Sequence, residues 1–111
     1  TRVGDLRPGD LIAWRRPRSV ASTNTGHVAF VVSAPERTAR GDGWVIRVAE
    51  STAIPHEDDT RHGVRSHRSG YGQGTIVLTT DRADAPHSYG WFGRRTRLYF
   101  PTSIMLGRPL R

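Results

Sequence analysis

Five short apolar runs, each bounded by turn-forming residues, constrain the fold of this chain more than any other feature. They are rich in β-branched and aromatic residues, as strands are, and no stretch has apolar residues at helical spacing beyond about one turn. The runs are Leu11–Trp14, His27–Val32, Trp44–Glu50, Thr75–Thr80 and Leu98–Phe100. They predict a mostly β fold: an antiparallel sheet of about five short strands, curled or barrel-like.

The length of 111 residues suits a single domain. Pro8-Gly9, just before the first run, predicts a tight turn in which the glycine takes a positive φ. The polar stretch 51–74 has no apolar periodicity, and we expect it to be a long loop, which is usually functional or mobile. A sheet with one apolar face also needs a partner layer. We therefore expect either a barrel that closes on itself or a helical segment upstream.

The charge of the chain is +7, because 17 arginines outnumber ten acids and there is no lysine. Such a surface attracts polyanions, so a basic SH3- or OB-like barrel that binds nucleic acid without catalysis is one alternative for function. The arginines are scattered, however, as GC-rich coding alone would produce.

With no cysteine, the 111 residues form no disulfide. No apolar run approaches the ~18 residues of a membrane span.

Three segments in the first half of the chain carry the most informative pattern. Pro-Gly-Asp before an apolar strand is common alone, but its combination with Gly-His-Val after a short loop is more specific. The segments are Asp5-Leu6-Arg7-Pro8-Gly9-Asp10-Leu11, Gly26-His27-Val28 and Val45-Ile46-Arg47-Val48-Ala49-Glu50-Ser51. In these residues the chain resembles the NlpC/P60 family of papain-like cysteine peptidases, which hydrolyse cell-wall peptides.

The resemblance implies a cysteine-type amidohydrolase in which His27 is the catalytic base and Glu50, or the neighbouring Ser51, orients its ring. A thiolate nucleophile needs an imidazolium beside it, and that imidazole needs a third group to fix its tautomer. Antiparallel pairing of the second and third runs would bring Glu50 near His27. The plain alternatives are a strand histidine without a role and a strand-end acid paired with an arginine.

The family bears its cysteine on a helix before the Pro-Gly-Asp strand. The resemblance therefore implies that this chain is the β-rich half of an α+β domain, that the missing helical segment with the nucleophile lies upstream, and that the 111 residues alone are inactive. It further implies a peptidoglycan or peptide substrate, a location in the cell envelope or outside the cell, and no metal or cofactor.

A second group of candidate residues lies in the polar stretch. Imidazole and carboxylate side chains at such spacing can bind zinc, which makes a metal-dependent hydrolase a third alternative. The alternatives are that the acids cap a turn and that His56 lies at the rim of a cleft and contacts substrate. The group consists of His56, Asp58, Asp59 and His62.

The aromatic residues are mainly expected in the core. Trp14 and Trp44 lie within or at the start of apolar runs. Trp91 is flanked by glycines at 90 and 93, and together with Tyr71 and Tyr89 it is a candidate for contacting a glycan or a peptide stem. A core position is the alternative for Trp91 as well.

Overall fold

The computed structural model of the chain describes residues 2–20, 26–52, 56–60 and 70–110. Within these ranges the backbone forms eight strands and two 3-10 helices, η1 (Val3–Asp5) and η2 (Gly93–Arg95). The strands are β1 (Leu11–Arg15), β2 (Gly26–Val31), β3 (Glu36–Arg37), β4 (Gly43–Thr52), β5 (Gly70–Thr80), β6 (Pro86–Gly90), β7 (Phe100–Pro101) and β8 (Ile104–Gly107). The prediction of a mostly β chain is confirmed.

All eight strands form one antiparallel sheet in the order β7-β6-β5-β4-β2-β1-β8, and β3 pairs with β4 beside this path. The sheet curls strongly into a half-barrel, which confirms the expected curvature. The expected count of about five strands is wrong, because the described residues form eight. Four predicted runs correspond to β1, β2, β4 and β5, whereas of the fifth run only Phe100 lies in a strand.

The prediction of a loop over 51–74 is wrong at both ends of that range, and residues 53–55 and 61–69 lie outside the described residues. Ser51 and Thr52 complete β4, and residues 70–74 begin β5, so that the two strands pair over ten residue positions. Glycine is disfavoured in strands because it has no side chain to pack. The glycines at 70, 72 and 74 therefore concealed the first half of β5 from an interpretation based on apolar runs.

The turn before β1 is held by the side chain of Asp10. Its carboxylate accepts a hydrogen bond from the backbone N–H of Arg7 at 2.8 Å and, through both oxygens, from the guanidinium of Arg108 at 2.9 Å. Gly9 has a φ of +93°, as predicted, and its N–H donates to the carbonyl oxygen of Val31 at 2.8 Å. The turn therefore ties the start of β1 to the end of β2.

The inner face of the half-barrel carries the apolar core. Strand residues alternate between the two faces, so every second residue of β1, β2, β4 and β5 points inward. The buried cluster consists of Val3, Leu6, Ile12, Trp14, Ala29, Val31, Ile46, Val48, Ile76, Leu78 and Tyr89. On β4 this alternation continues from Ile46 and Val48 to Glu50, which places a carboxylate on the inner face at the end of an apolar row.

The outer face of β8, β1 and β2 is apolar as well, but it is exposed. Val28, Phe30 and Met105 have exposed fractions of 53%, 50% and 72%. Val28 and Met105 both lie opposite Ala13 of β1, one on each side, so the apolar side chains form a continuous row across three strands.

Among the described residues, no helix has the length and apolarity that crossing a bilayer requires.

We predict that Asp10 contributes stability that depends on pH. Hydrogen bonding from Arg108 lowers the pKa of Asp10 to about 2, from an ordinary value of 3.8. Since folding favours the ionised form, this contribution is fully present above about pH 4 and is lost as the pH falls toward about 2. We expect Asp10→Asn to lower the free energy of unfolding by about 1–2 kcal/mol near neutral pH.

Urea unfolding followed by circular dichroism at several pH values measures this effect. The difference between wild type and Asp10→Asn should shrink between about pH 5 and about pH 2. Asp58→Asn is the matched control, because Asp58 is exposed and Asn tolerates its φ of +51°. A difference for Asp10→Asn that is the same at both ends of the range would contradict the prediction.

Candidate functional site

The inner face of the sheet carries a polar cluster at one end of the core, where β2 and β4 lie side by side. His27 is the second residue of β2, and Glu50 is near the end of β4. The antiparallel register pairs Phe30 with Ala49 and Val31 with Val48, which brings His27 and Glu50 to the same face. The Nε2 atom of His27 contacts Oε2 of Glu50. The structure thus brings together the two residues that the sequence predicted as base and orienting group.

Glu50 also contacts a second histidine, which the sequence did not connect with it. Its Oε1 atom lies against Nε2 of His56, while Oε2 contacts His27. The side chains of Glu50 and His56 are fully buried, whereas that of His27 is 18% exposed. The carboxylate therefore bridges one buried imidazole and one that reaches solvent. These three residues are called the His-Glu-His cluster below.

The ring of His56 is fixed at its other nitrogen as well. Nδ1 lies 2.7 Å from the backbone carbonyl oxygen of Trp91, and the rings of His56 and Trp91 pack at a tilt of 37° with centroids 3.9 Å apart. The backbone N–H of His56 donates to the carboxylate of Asp59 at 2.8 Å. These contacts leave the ring one orientation, in which Nε2 points at Glu50.

The segment 56–60 is held along β5 by backbone hydrogen bonds. Thr75 N–H donates to the carbonyl oxygen of Glu57, and Thr60 N–H donates to that of Gln73, both at 2.8 Å. On the other side, the guanidinium of Arg47 donates to the carbonyl oxygen of Asp58. The segment therefore lies alongside β5, and this places the side chain of His56 on the inner face.

Trp91 is positioned by the turn that follows β6. The carboxylate of Glu57 accepts hydrogen bonds from the backbone N–H groups of Arg94 and Arg95, at 2.9 and 3.1 Å. This ties η2 to the segment that carries His56, and Trp91 lies just before η2. The indole of Trp91 packs edge-on to the His27 ring at 5.3 Å between centroids, and Trp14 lies 5.1 Å from the same ring. Two indoles thus enclose His27 and keep most of its ring from water.

A glycine on β5 provides the space that His56 occupies. Gly74 lies opposite Val48, on the inner face. A Cβ atom at position 74 would lie 2.5 Å from Cβ of His56 and 3.0 Å from two of its ring carbons. Any side chain larger than hydrogen at this position would therefore collide with His56. This glycine is the sequence signal that could have indicated a large buried group over the start of β5.

The other predicted site residues differ in where they lie relative to this cluster. Ser51, the alternative orienting residue, is exposed and, one position along the strand from Glu50, points to the opposite face. Tyr71 is 73% exposed, and Tyr89 is buried in the core. His56 lies in the interior rather than at the rim of a cleft. Trp91, a candidate for contacting substrate, is partly buried and packs against the core and both histidines.

The residues of the metal alternative form no metal site among those that the structure describes. Asp58 is exposed and Asp59 binds the backbone of His56, while His62 lies outside the described residues. Across the ranges that the structure describes, no group of three or more histidine, cysteine or acidic side chains has an arrangement suited to a metal ion.

An open cleft of about 760 Å³ lies beside His27 at the end of β1 and β2. Its walls combine apolar side chains of the outer face with polar groups from the strand ends. The lining residues are Ala13, Trp14, Arg15, Gly26, His27, Val28, Ser51, Ser103 and Met105. The cleft gives a substrate, or another segment of protein, access to the side of His27.

The arrangement can position a base. His27 binds the buried carboxylate through Nε2, and its Nδ1 atom makes no hydrogen bond to any described residue. A neutral imidazole has one donor and one acceptor nitrogen, so a proton on Nε2 leaves a lone pair on Nδ1.

Comparisons of the chain with family models, with curated proteins and with solved structures find no match.

We predict that Gly74→Ala destabilises the fold by displacing His56. The added methyl group would overlap the side chain of His56, and forced overpacking of this kind costs about 1–3 kcal/mol. Gly107→Ala is the matched control, because it is also a strand glycine and its Cβ would meet only Leu11 Cβ at 3.9 Å. Urea unfolding measures both changes. Equal stability of the two variants would contradict the close packing of His56 on Gly74.

Proposed function

We propose that these residues form the β-rich half of a cysteine-type amidohydrolase of the NlpC/P60 kind, with His27 as its catalytic base. The observation that carries the proposal is the orientation of His27. A buried carboxylate binds one ring nitrogen, two indoles enclose the ring, and the second nitrogen is unbonded within the described residues. A carboxylate that fixes the tautomer and orientation of a base is the arrangement found in hydrolytic triads.

In this proposal Glu50 is a positioning residue, and the nucleophile is a cysteine outside the 111 residues. The imidazole of His27 takes the thiol proton at Nδ1, and the thiolate attacks the carbonyl carbon of an amide. The imidazolium then returns the proton to the leaving amine, and water hydrolyses the acyl-enzyme in a second cycle of the same proton transfers. Glu50 stabilises the imidazolium because it remains a carboxylate against Nε2.

The exposed apolar row near His27 supports a covering segment. Val28, Phe30 and Met105 would be buried by a helix with an apolar face, and apolar side chains exposed side by side mark interaction surfaces. The row lies on the outer face and the ring of His27 on the inner face, but the cleft at the ends of β1 and β2 is lined by Val28, Met105 and His27 together. A helix that covers the row and enters this cleft can therefore present a cysteine near the ring. We propose peptidoglycan stem peptides or related amides as the substrate class, which rests on the family resemblance.

The test uses the longest natural chain that contains these residues. His27→Gln should lower kcat/KM on soluble peptidoglycan fragments by at least about 100-fold, the usual contribution of a general base. It should also slow alkylation of the nucleophilic cysteine by iodoacetamide near neutral pH, because the thiolate loses its partner. His87→Gln, which changes an exposed histidine on β6, is the matched control and should leave both rates unchanged. A natural chain with no cysteine able to reach His27, or a fully active His27→Gln variant, would contradict the proposal.

A second candidate function is supported by a separate part of the surface. Residues 92–99 expose Phe92 and Tyr99 among three exposed arginines, 94, 95 and 97. Aromatic rings interleaved with arginines are the pattern that stacks the bases and binds the phosphates of single-stranded nucleic acid.

Binding of a fluorescent single-stranded oligonucleotide at several salt concentrations tests this candidate. If this surface binds nucleic acid, affinity should fall steeply with salt, and Arg97→Gln should reduce the slope of log affinity against log salt by about 0.7. Arg82→Gln, on an exposed turn outside residues 92–99, is the control. Weak binding that Arg97→Gln leaves unchanged would count against this function.

A further inference from the structure

The nitrogen–oxygen contacts of the His-Glu-His cluster determine where its protons lie, because each contact needs a hydrogen on one of its two atoms. The Nδ1 atom of His56 is 2.7 Å from the carbonyl oxygen of Trp91. A carbonyl oxygen can only accept a hydrogen bond, so Nδ1 must carry a hydrogen and donate it. If His56 were neutral, its Nε2 atom would then hold a lone pair.

That lone pair would face another acceptor. Nε2 of His56 lies against Oε1 of Glu50, and both side chains are fully buried. Two acceptor atoms in contact repel unless a proton lies between them. The contact between these two residues therefore holds one proton, in addition to the one that His56 donates to Trp91.

The second contact of Glu50 indicates whether this proton is bound to His56 or to Glu50. Oε2 contacts Nε2 of His27, so Glu50 has a potential donor on each of its oxygens. Hydrogen bonds donated to both oxygens favour the ionised form of a carboxyl group. The proton between His56 and Glu50 is therefore assigned to His56, as an imidazolium against a carboxylate, and this buried pair has no net charge.

We propose that His56 is a positioning residue for His27: as a buried imidazolium it holds Glu50 in the carboxylate form, and that carboxylate fixes the Nε2–H tautomer of His27. With its hydrogen on Nε2, neutral His27 presents the Nδ1 lone pair, as a base at this position requires. When His27 accepts a proton at Nδ1, the cluster gains one positive charge beside the same carboxylate. The proton arrangement can be measured in the chain as it stands, and only its catalytic consequence rests on the proposed function.

The surroundings of His56 fit this assignment. Two acids contact His56: Glu50 on β4, and Asp59 on its own segment, whose carboxylate accepts the backbone N–H of His56 at 2.8 Å. Glu57, Arg94 and Arg95 line the same cavity as His56, and Glu57 accepts hydrogen bonds from the backbone N–H groups of both arginines. β5 contributes Gly74, and the segment after β6 contributes the ring and carbonyl group of Trp91. The two charged side chains that contact His56 directly are therefore acids, and the indole of Trp91, 3.9 Å away between ring centroids, attracts a cation over its face.

The direct test is nuclear magnetic resonance of the chain with ¹⁵N-labelled histidines near neutral pH. The nitrogen shifts of His56 should be those of a ring with hydrogens on both nitrogens, and the shifts of His27 those of the Nε2–H tautomer. Single His→Gln variants assign the signals, and the exposed His87 is the internal reference. Wild-type spectra in which His56 has one ring hydrogen, or His27 carries its hydrogen on Nδ1, would overturn the proposal without reference to any variant or activity.

Glu50→Gln tests the coupling between the two rings. An amide removes the negative charge that both histidines face, so His56 should lose one ring hydrogen near neutral pH and His27 should populate both tautomers. The signals of His87 should not change. If His56 and His27 keep their wild-type shifts in a Glu50→Gln variant whose circular dichroism is unchanged, Glu50 does not couple them and the proposal fails.

The catalytic consequence is tested in the longest natural chain. His56→Gln should lower kcat by about 10- to 100-fold with little change in KM, because substrate does not contact the buried ring. A KM effect alone would contradict a positioning role. If the wild-type spectra show the expected proton arrangement but no amide is hydrolysed, the proposed function fails while the proton assignment stands. If the chain hydrolyses an amide but the spectra show a neutral His56, the proton assignment fails while the proposed function stands.

Discussion

The rest of the site depends on one buried carboxylate, that of Glu50, held between two imidazole rings. A carboxylate removed from water costs several kcal/mol unless charged or hydrogen-bonding partners replace the lost hydration. In this chain both oxygens have such a partner, His27 on one side and His56 on the other. The position of each ring is consequently an energetic requirement of the fold and, in the proposed function, also a condition for catalysis.

The sheet meets this requirement by bringing distant parts of the chain together. The register between β2 and β4 places His27 and Glu50 on the same face, and the pairing of segment 56–60 with β5 places His56 on that face as well. Glu57 then fixes η2, and with it the tryptophan whose carbonyl group and ring engage His56. A short stretch of polar residues after β4 thus connects the core, the cluster and its aromatic cover.

Much of this architecture was predictable, and what was missed has a physical reason. The apolar runs and Pro8-Gly9 predicted the four main strands and the turn, and antiparallel pairing of the second and third runs predicted that Glu50 would approach His27. The first half of β5 was missed because its glycines carry no strand signal, although Gly74 is needed for the close approach of His56. The partnership of His56 with Glu50 was missed because it is set by pairing between segments whose register the sequence does not state. The roles of His27 and Glu50 in hydrolysis stay predictions.

The space above Gly74 also has a consequence for how such a chain can vary. Because the ring of His56 occupies the volume that a side chain at position 74 would need, the two positions cannot change independently. A larger residue at 74 becomes acceptable only after His56 has been replaced by something smaller, and that replacement would leave one oxygen of Glu50 without its partner. A larger residue at 74 is therefore conditional on position 56, and the choice at 56 in turn decides whether Glu50 has both of its partners. Packing and hydrogen bonding thus link three positions that are separated in the sequence.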